Sequence, residues 1–541
     1  MDNREITIPQ GRLLGGSSAL NAMNFVVSSK EDLDAWAGLG NPGWDWENFS
    51  RYLNKTYTVT TGSETHNNGA IQTNIPEEEN KWPQVWRDTL ANLGFPSHND
   101  PFSGTIHGAV MYPDAIHPES KTRSYAANAY LAPAQGRPNL TIWTGVVVEK
   151  ILFDKPTDSD IVASGVRYTT RDGQSATVTA RKEVILSAGV FHSPKILELS
   201  GIGDAALLSS LGIDVVVDNP HVGENLQHHP LSILSFETVN DGDAAFATLD
   251  ALARQDPSAV TAATSAYTTA KRGPLSQTNC NAMAHLPFPG ITTAAGQSDL
   301  AQLRATPYPT PPTKSTAAYT RAATALTHAT LTSQTSASGY YVTTPCGVHP
   351  SPPDTPATSS STETPANYFS IAVLLTRPLS RGSAHLTAPS IQGPQSQQQQ
   401  PQQEIDPGYL THPLDLAILS RHVHFTLHTL TQTPPLSTRL QPHGNHLPPS
   451  LSLLQNNTSL DLESTLTFLR ETALPSTLYA GTCSMMPREM GGVVDPTLRV
   501  YGTRNVRVVD ASVMPFITAG DTMATVYGIA EKAAEGIRAG L

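Results

Sequence analysis

The sequence predicts an α/β chain of two domains, α+β in overall arrangement, and three observations carry that expectation. β-branched, strand-like runs and a long amphipathic helix lie toward the two ends. Between them the composition shifts to Thr, Ala, Ser and Pro, as in "YPTPPTKSTAAYTRAATALTHATLTSQTSASG". The length, 541 residues, exceeds what a single hydrophobic core ordinarily organises.

"GRLLGGSSALNAMNF" (11–25) comes first. Gly15 and Gly16 remove Cβ atoms where backbone must approach something closely. Ser17, Ser18 and Asn21 then offer hydroxyl, amide and N–H groups at a helix start, which suits a polar or anionic ligand, or simply a capped turn. "LTIWTGVVVEKILF" (140–153) and "ASGVRYTTRDGQSATVTARKEVILSAG" (163–189) read as strands with an Asp-Gly turn. "SAGVFHSPKILELSGIG" (187–203) reads as strand, turn and helix, with Ser193 as N-cap, Pro194 in the first turn, and Gly201 and Gly203 closing it. Residues 255–366 hold few large apolar side chains, so loops or disorder are expected there. "QSQQQQPQQ" (395–403) is expected to be a solvated linker, and helical spacing resumes in "DPGYLTHPLDLAILSRHVHFTLHTL" (406–430). "NVRVVDASVM" (505–514) is a strand carrying Asp510. The helix of "DTMATVYGIAEKAAEGIRAG" (521–540) has Asp521 or Thr522 as N-cap and Gly540 as its stop. Asp521 can be a plain cap or a catalytic group. There is no internal repeat.

A formal charge of -12 and a pI near 5.8 argue against nucleic acid and anionic membrane surfaces as partners. No run of 18 apolar residues is present, so a transmembrane segment is not expected. The N-terminus lacks a signal-type apolar stretch, while five sequons (Asn48, Asn54, Asn139, Asn456, Asn457) leave secretion open. Cys280, Cys346 and Cys483 make neither a disulfide framework nor a metal spacing. His228, His229, His422, His424 and His428 have no carboxylate or cysteine at ligand spacing, so packing or surface roles are expected and no metal site. G-x-S-x-G, H-E-x-x-H and G-x-x-x-x-G-K-[ST] motifs are absent.

Together, "GRLLGGSSALNAMNF", "GVFHSPKILELSGIG", "HVGENLQHH" (221–229), "RPLSRGSAHL" (377–386), "IDPGYLTHPLDL" (405–416), "TRSYAANAYLAP" (122–133), "SKEDLDAWAGLGNPGWDW" (29–46) and the tail from Gly481 resemble the glucose–methanol–choline (GMC) oxidoreductases. These stretches follow the family's order across most of the chain, matching weakly only over 240–366. The resemblance implies an FAD-binding, Rossmann-like domain built from 1–30, 125–235 and 478–541. It implies an antiparallel-sheet substrate domain over 236–477, with the low-complexity insert 390–403, and 31–124 as connecting and lid segments. It implies FAD contacts at Gly15, Gly16, Ser17, Asn21 and Asn24, and Val148 beside the adenine. Ala188 and Gly189 would lie near the adenosine half, Asp510 and Ala511 near the pyrophosphate and flavin, and Thr522 and Met523 at the flavin ring. The implied reaction is oxidation of a small organic alcohol, assisted by a base that takes the hydroxyl proton.

Three departures shape the expected function. The family opens with a βαβ unit bearing G-x-G-x-x-G, which residues 1–15 cannot hold, so the chain is expected to lack that unit, to bind FAD poorly or not at all and to be sparingly soluble through an unpaired sheet edge. The family's histidine position falls on Leu478, and its partner position falls on Asp521. An apolar wall at Leu478 should raise the Asp521 pKa by desolvation. The expected functions are therefore an FAD-dependent alcohol oxidase or dehydrogenase of specialised metabolism, a non-redox cyclase or lyase on the same scaffold, or an impaired remnant.

Overall fold

A computed structural model describes residues 6–62, 64–75, 80–154, 160–307, 314–348, 366–388, 401–455 and 462–540. The β-branched alternation becomes a three-stranded antiparallel sheet of Val146–Phe153, Ala163–Thr170 and Ser175–Thr179. Gly173, at φ 82°, serves the turn between the last two, as the Asp172–Gly173 pair predicts. Val184–Leu186 pairs in parallel with Val506–Val508, which joins segments more than 300 residues apart. Val184, Leu186, Val506 and Val508 enter one large core with Trp36, Trp44 and Phe49. Three helices close over that core: Lys30–Gly38, Trp46–Thr56 and Met523–Ala539. Trp36 donates its indole N–H to the Phe516 carbonyl at 2.9 Å, and a Cβ at Gly528 would meet Leu53 and Phe49 at 2.9 Å, so the helices touch closely.

The second sheet has eight strands and an antiparallel centre, Pro230–Glu237, Tyr368–Leu375, Gly339–Thr344 and Ala282–Leu286 in spatial order. Gly108–Met111 and Ser97–His98 extend one side, while His446–Leu447 and Leu474–Pro475 pair with Pro230–Glu237. The strand period of two splits its side chains. Leu234 and Phe236 pack with Leu419, Val423 and Leu427 of the helix Pro413–His428. Leu231 and Ile233 face the other way, with Val26, Tyr112, Met283 and Tyr340. That second face looks onto the segment carrying Asn24, which makes it the one that matters for the site.

Several local expectations need correcting. The helix after Leu186 starts at Gly189, with Ser193 and Pro194 inside it. Asp510, from a distant strand, accepts the Gly189 N–H at 2.9 Å and does the capping expected of Ser193. The Val190 carbonyl, which has no N–H to meet at Pro194, accepts the Thr482 hydroxyl at 2.5 Å instead. The Thr- and Ala-rich stretch forms helices Pro257–Ala270, Ala294–Ala305 and Ala317–Thr332, capped by Asp256, Thr293 and Thr316. Their small side chains allow close packing around a few anchors, Leu300, Leu303, Tyr319 and Leu331. Gln402 and Gln403 of the expected linker lie in the strand Gln402–Asp406, paired with Ser383–Thr387; the rest of 390–400 lies outside the described residues, as do Asn456 and Asn457. Residues 11–25 hold only a short 3₁₀ turn, Gly16–Ala19, because left-handed Gly15 and Gly16 do not propagate a helix.

Gly201, at φ 83°, lies where a Cβ would meet the Asp214 carbonyl oxygen at 2.3 Å. Gly201→Ala is expected to destabilise the fold by about 2 kcal/mol, read by urea unfolding, because strain and clash add. Among the described residues no helix is long and apolar enough to cross a membrane, and no group of three or more metal-type side chains converges.

Candidate active site

Asp521 lies where the two sheets' segments meet. It precedes the Met523–Ala539 helix, whose N-cap is Thr522, and no side chain caps that helix. Its first N–H groups and the positive end of its dipole are therefore available to a ligand. Buried Asn24 hydrogen-bonds the Asp521 side chain. The same amide faces Cys280, 3.4 Å from Nδ2 to Sγ and 3.6 Å from Sγ to Oδ1. Further along, Thr278 donates from its N–H (3.0 Å) and hydroxyl (2.8 Å) to the buried carboxylate of Asp114. Tyr112 and Tyr340 are fully buried, and their phenols are raised by burial with the Asp521 charge as a second cause.

Electrostatically this is an acid-poised cluster. Burial pushes the Asp521 carboxyl up to about 7, with the Asn24 hydrogen bond opposing the rise. Burial likewise pushes Asp114 up to about 6 and the Cys280 thiol up to about 11. A carboxyl that titrates near neutrality can take or give a proton there, which an ordinary carboxylate does poorly. Leu478 brings no second titrating group: it is partly buried, and its N–H donates to the Ser476 hydroxyl at 3.4 Å. Beside it, the Tyr479 hydroxyl bonds that of Tyr409 at 2.7 Å, with His228 edge-on to Tyr409 at 3.9 Å.

The residues implied as cofactor contacts come from three distant stretches, and the structure joins those stretches. The Asn21 amide lies 2.9 Å from Met523 Sδ, and Arg123 donates to the Asn21 side-chain and main-chain oxygens, both at 2.8 Å. Asp510 accepts from Gly189 N–H and the Ser193 hydroxyl (2.6 Å) on one oxygen, and from Ser512 N–H and hydroxyl on the other. Its carboxylate is thus used inside the protein, and it acts by locking Gly189 to the 510–513 turn. Ala511 receives the Gly481 N–H at 3.3 Å, and Ala188 donates to the Ser193 hydroxyl at 3.1 Å. Ser17 accepts the Gly11 N–H at 3.1 Å. Val148 stands on its strand opposite Tyr168. Asn24, implied as an FAD contact, points its amide at Cys280 and Asp521.

Those stretches also leave room. Gly16 (φ 55°) and Gly189 (φ 83°) have open space where a Cβ would stand, whereas one on Gly15 would meet the Tyr125 ring at 2.8 Å. Leu13, Leu14, Leu20, Trp143, Val147 and Ile185 on the same segments expose large apolar surfaces. Open glycines, an uncapped helix start and exposed apolar side chains fit a flat ring system with a polar, partly anionic edge. A separate cleft of about 240 Å³, its open mouth included, is lined by Gln227, Thr327, Arg377, Arg381, Phe516 and Ile517, and both guanidinium groups are hydrogen-bonded within the protein.

With the geometry in place, comparison with known proteins decides the family. Models described as GMC oxidoreductase match residues 1–231 and 378–530. The chain belongs to the GMC oxidoreductase family. It is 34% identical to the dehydrogenase mpl7 of Monascus purpureus, over 98% of this chain and 84% of that protein. An FAD-dependent oxidoreductase from Chaetomium thermophilum superposes with a TM-score of 0.82 at 27% identity, covering 100% of this chain and 88% of that one. A fungal aryl-alcohol oxidase does so at 0.76 and 25% identity, covering 97% and 85%. The mixed α/β architecture is that of GMC structures with FAD-binding and substrate domains. The family match begins at residue 1, which lends no support to the expected lack of a first βαβ unit or to a truncated start.

Cys280, Tyr112, Tyr340, Asp114 and His285 escape the sequence reading as site residues. His285, Tyr340 and Asp114 reach the cluster by long-range strand or bridge pairing, Tyr112 and Cys280 flank the paired strands Gly108–Met111 and Ala282–Leu286, and no local spacing marks any of them.

Proposed function

We propose that this GMC protein is an FAD-dependent oxidoreductase acting on the CH–OH group of a small organic alcohol, in specialised metabolism. The observation that carries the proposal is Asp521: a half-buried carboxyl that desolvation pushes up to about 7, beside the open start of the Met523–Ala539 helix. The names of the relatives, a dehydrogenase and an aryl-alcohol oxidase, support the same direction.

In this reading Gly15, Gly16, Ser17, Asn21, Thr522 and Met523 hold the flavin end of FAD, with Asn24 acting through Asp521. Val148, Ala188 and Gly189 hold the adenosine half, with Asp510 and Ala511 fixing the turn between. When bound, FAD supplies the two-electron acceptor. Ionised Asp521 accepts the hydroxyl proton as the substrate carbonyl forms, and the neutral Cys280 thiol keeps a second negative charge out of the site.

A second reading, a cyclase or lyase using protonated Asp521 as an acid, is favoured by one observation: Leu478 supplies no basic partner. Anaerobic mixing of FAD-loaded protein with a panel of aryl and alkyl alcohols separates the two. Bleaching of the flavin with carbonyl product is expected. Product isomeric with the substrate, or formed by loss of water, with the flavin still oxidised would sink the redox proposal.

A further inference from the structure

The residue two positions before Asp521, Ala519, is held at both of its main-chain polar atoms. The Ala519 N–H donates to Asp32 Oδ2 at 2.9 Å. The Ala519 carbonyl meets His285 Nε2 at 3.2 Å. A carbonyl only accepts, so Nε2 carries the proton and Nδ1 is bare. That Nδ1 is buried and has no hydrogen-bond partner among the described residues. His285 comes from the strand Ala282–Leu286 of the second sheet, whereas Asp32 comes from the first turn of Lys30–Gly38. A helix and a strand far apart in sequence therefore hold the main chain of one residue at both of its polar atoms.

Both grips are themselves fixed. Asp32 is 2% exposed, receives Arg377 through Nε (3.2 Å) and an Nη (2.8 Å), and receives Ser29 through its hydroxyl at 2.7 Å. His285 stacks on Tyr340, ring centroids 4.4 Å apart and 13° from parallel, with Tyr112 edge-on at 6.1 Å. Between the grips and Asp521 stands Gly520, where a Cβ would meet Val26 at 2.6 Å and His285 Nε2 at 3.5 Å, so the backbone here runs close against both. Besides the Tyr340 and Tyr112 phenols, the charged and titratable groups facing His285 are Asp32, His229 and Arg377, and burial dominates them, holding the imidazole neutral with its pKa near 3.

We propose that His285 is a positioning residue: as a neutral Nε2–H donor it fixes, with Asp32, the main chain of Ala519 and thereby aims Asp521 at Asn24 and the substrate. This rests on the reading that Asp521 is the proton acceptor. A misdirected catalytic group loses up to about a hundredfold in rate even when its chemistry is intact.

The test compares His285→Phe, which keeps the ring stack and loses the donor, with His285→Gln, which keeps an amide N–H. Two readouts are followed on the full chain. The first is the infrared carboxylic-acid band of Asp521 against pH, identified by its loss in Asp521→Asn. The second is kcat and KM separately for the best alcohol found. His285→Phe is expected to move the band's midpoint down by about one pH unit or more, as water reaches a loosened Asp521, and to lower kcat at least tenfold with KM within threefold. His285→Gln is expected to restore both. A wild-type midpoint and kcat in His285→Phe would overturn the proposal. So would an equal loss in both variants, since the N–H donor that only His285→Gln keeps would then not matter, and a loss in His285→Gln alone would show a merely structural ring. If His285→Phe does not melt cooperatively, His285→Met, which fills the volume without a donor, takes its place under the same criteria. Should Asp521→Asn leave turnover unchanged, the proton-acceptor reading fails, while the midpoint shift still decides whether His285 positions Asp521.

Discussion

Asp521→Asn is expected to lower alcohol turnover by about 10²–10⁴-fold, the range that a positioned acid–base group contributes. The amide keeps the shape and an acceptor for Asn24, so the loss reads proton transfer and not misfolding. Stability should move the other way. Burial raises the folded-state pKa of Asp521 from 3.8 to about 7, so its contribution is fully present below the unfolded value and is lost as pH rises through about 7. The variant should therefore melt like the wild type at pH 4 and above it at pH 8, by on the order of 2 kcal/mol. Loss of turnover together with lowered stability at pH 8 would mean that Asp521 is a structural group and not a desolvated catalytic one.

His385→Gln is expected to have the largest effect on stability, about 3 kcal/mol at pH 6. His385 bridges two acids, with Nδ1 at 2.7 Å from Glu198 and Nε2 at 3.0 Å from Glu224. Glu198 is wholly buried and also accepts the Leu386 N–H at 2.8 Å, while Lys314 approaches Glu224 at 3.9 Å. Gly223 is packed so closely that a Cβ would meet the His385 ring at 2.8 Å. The bridge ties the helix Gly189–Leu199, the 221–225 turn and the strand Ser383–Thr387 into one unit. Burial opposes the charge on His385, but the hydrogen bonds and charges of the two glutamates outweigh it and raise the imidazolium to about 9. Its contribution is fully present below the ordinary value of 6.5 and is lost as pH rises through about 9. Urea unfolding at pH 6 and pH 10 should show the difference between variant and wild type shrinking at the higher pH. An equal difference at both values would mean that the ring stabilises by packing alone.

The sequence announces what rests on local pattern. The alternation at 163–179, the Asp172–Gly173 turn and the helix ending at Gly540 are all visible, because period and turn chemistry act over a few residues. Family resemblance implies that residues 15–24, 188–189 and 510–523 contact one cofactor; the structure places Asn21 against Met523 and Gly189 against Asp510. Three kinds of feature stay hidden. Asp510 caps a helix from a distant strand, so Ser193 looks like the cap when it is an interior residue. Helices rich in Thr and Ala look like loops, because their few anchors, such as Tyr319, are spread too thinly to show a period. Asn24 and Cys280 lie 256 positions apart, and nothing in either neighbourhood marks their pairing.

The most direct single measurement is the pH dependence of kcat/KM for flavin reduction by the best alcohol, which reports the protonation state of the free protein. With Asp521 as proton acceptor at about 7, kcat/KM should rise with pH through that value and level off above it. A flat profile, or one that falls across the same range as an acid catalyst's does, would contradict the assignment of Asp521 as the base.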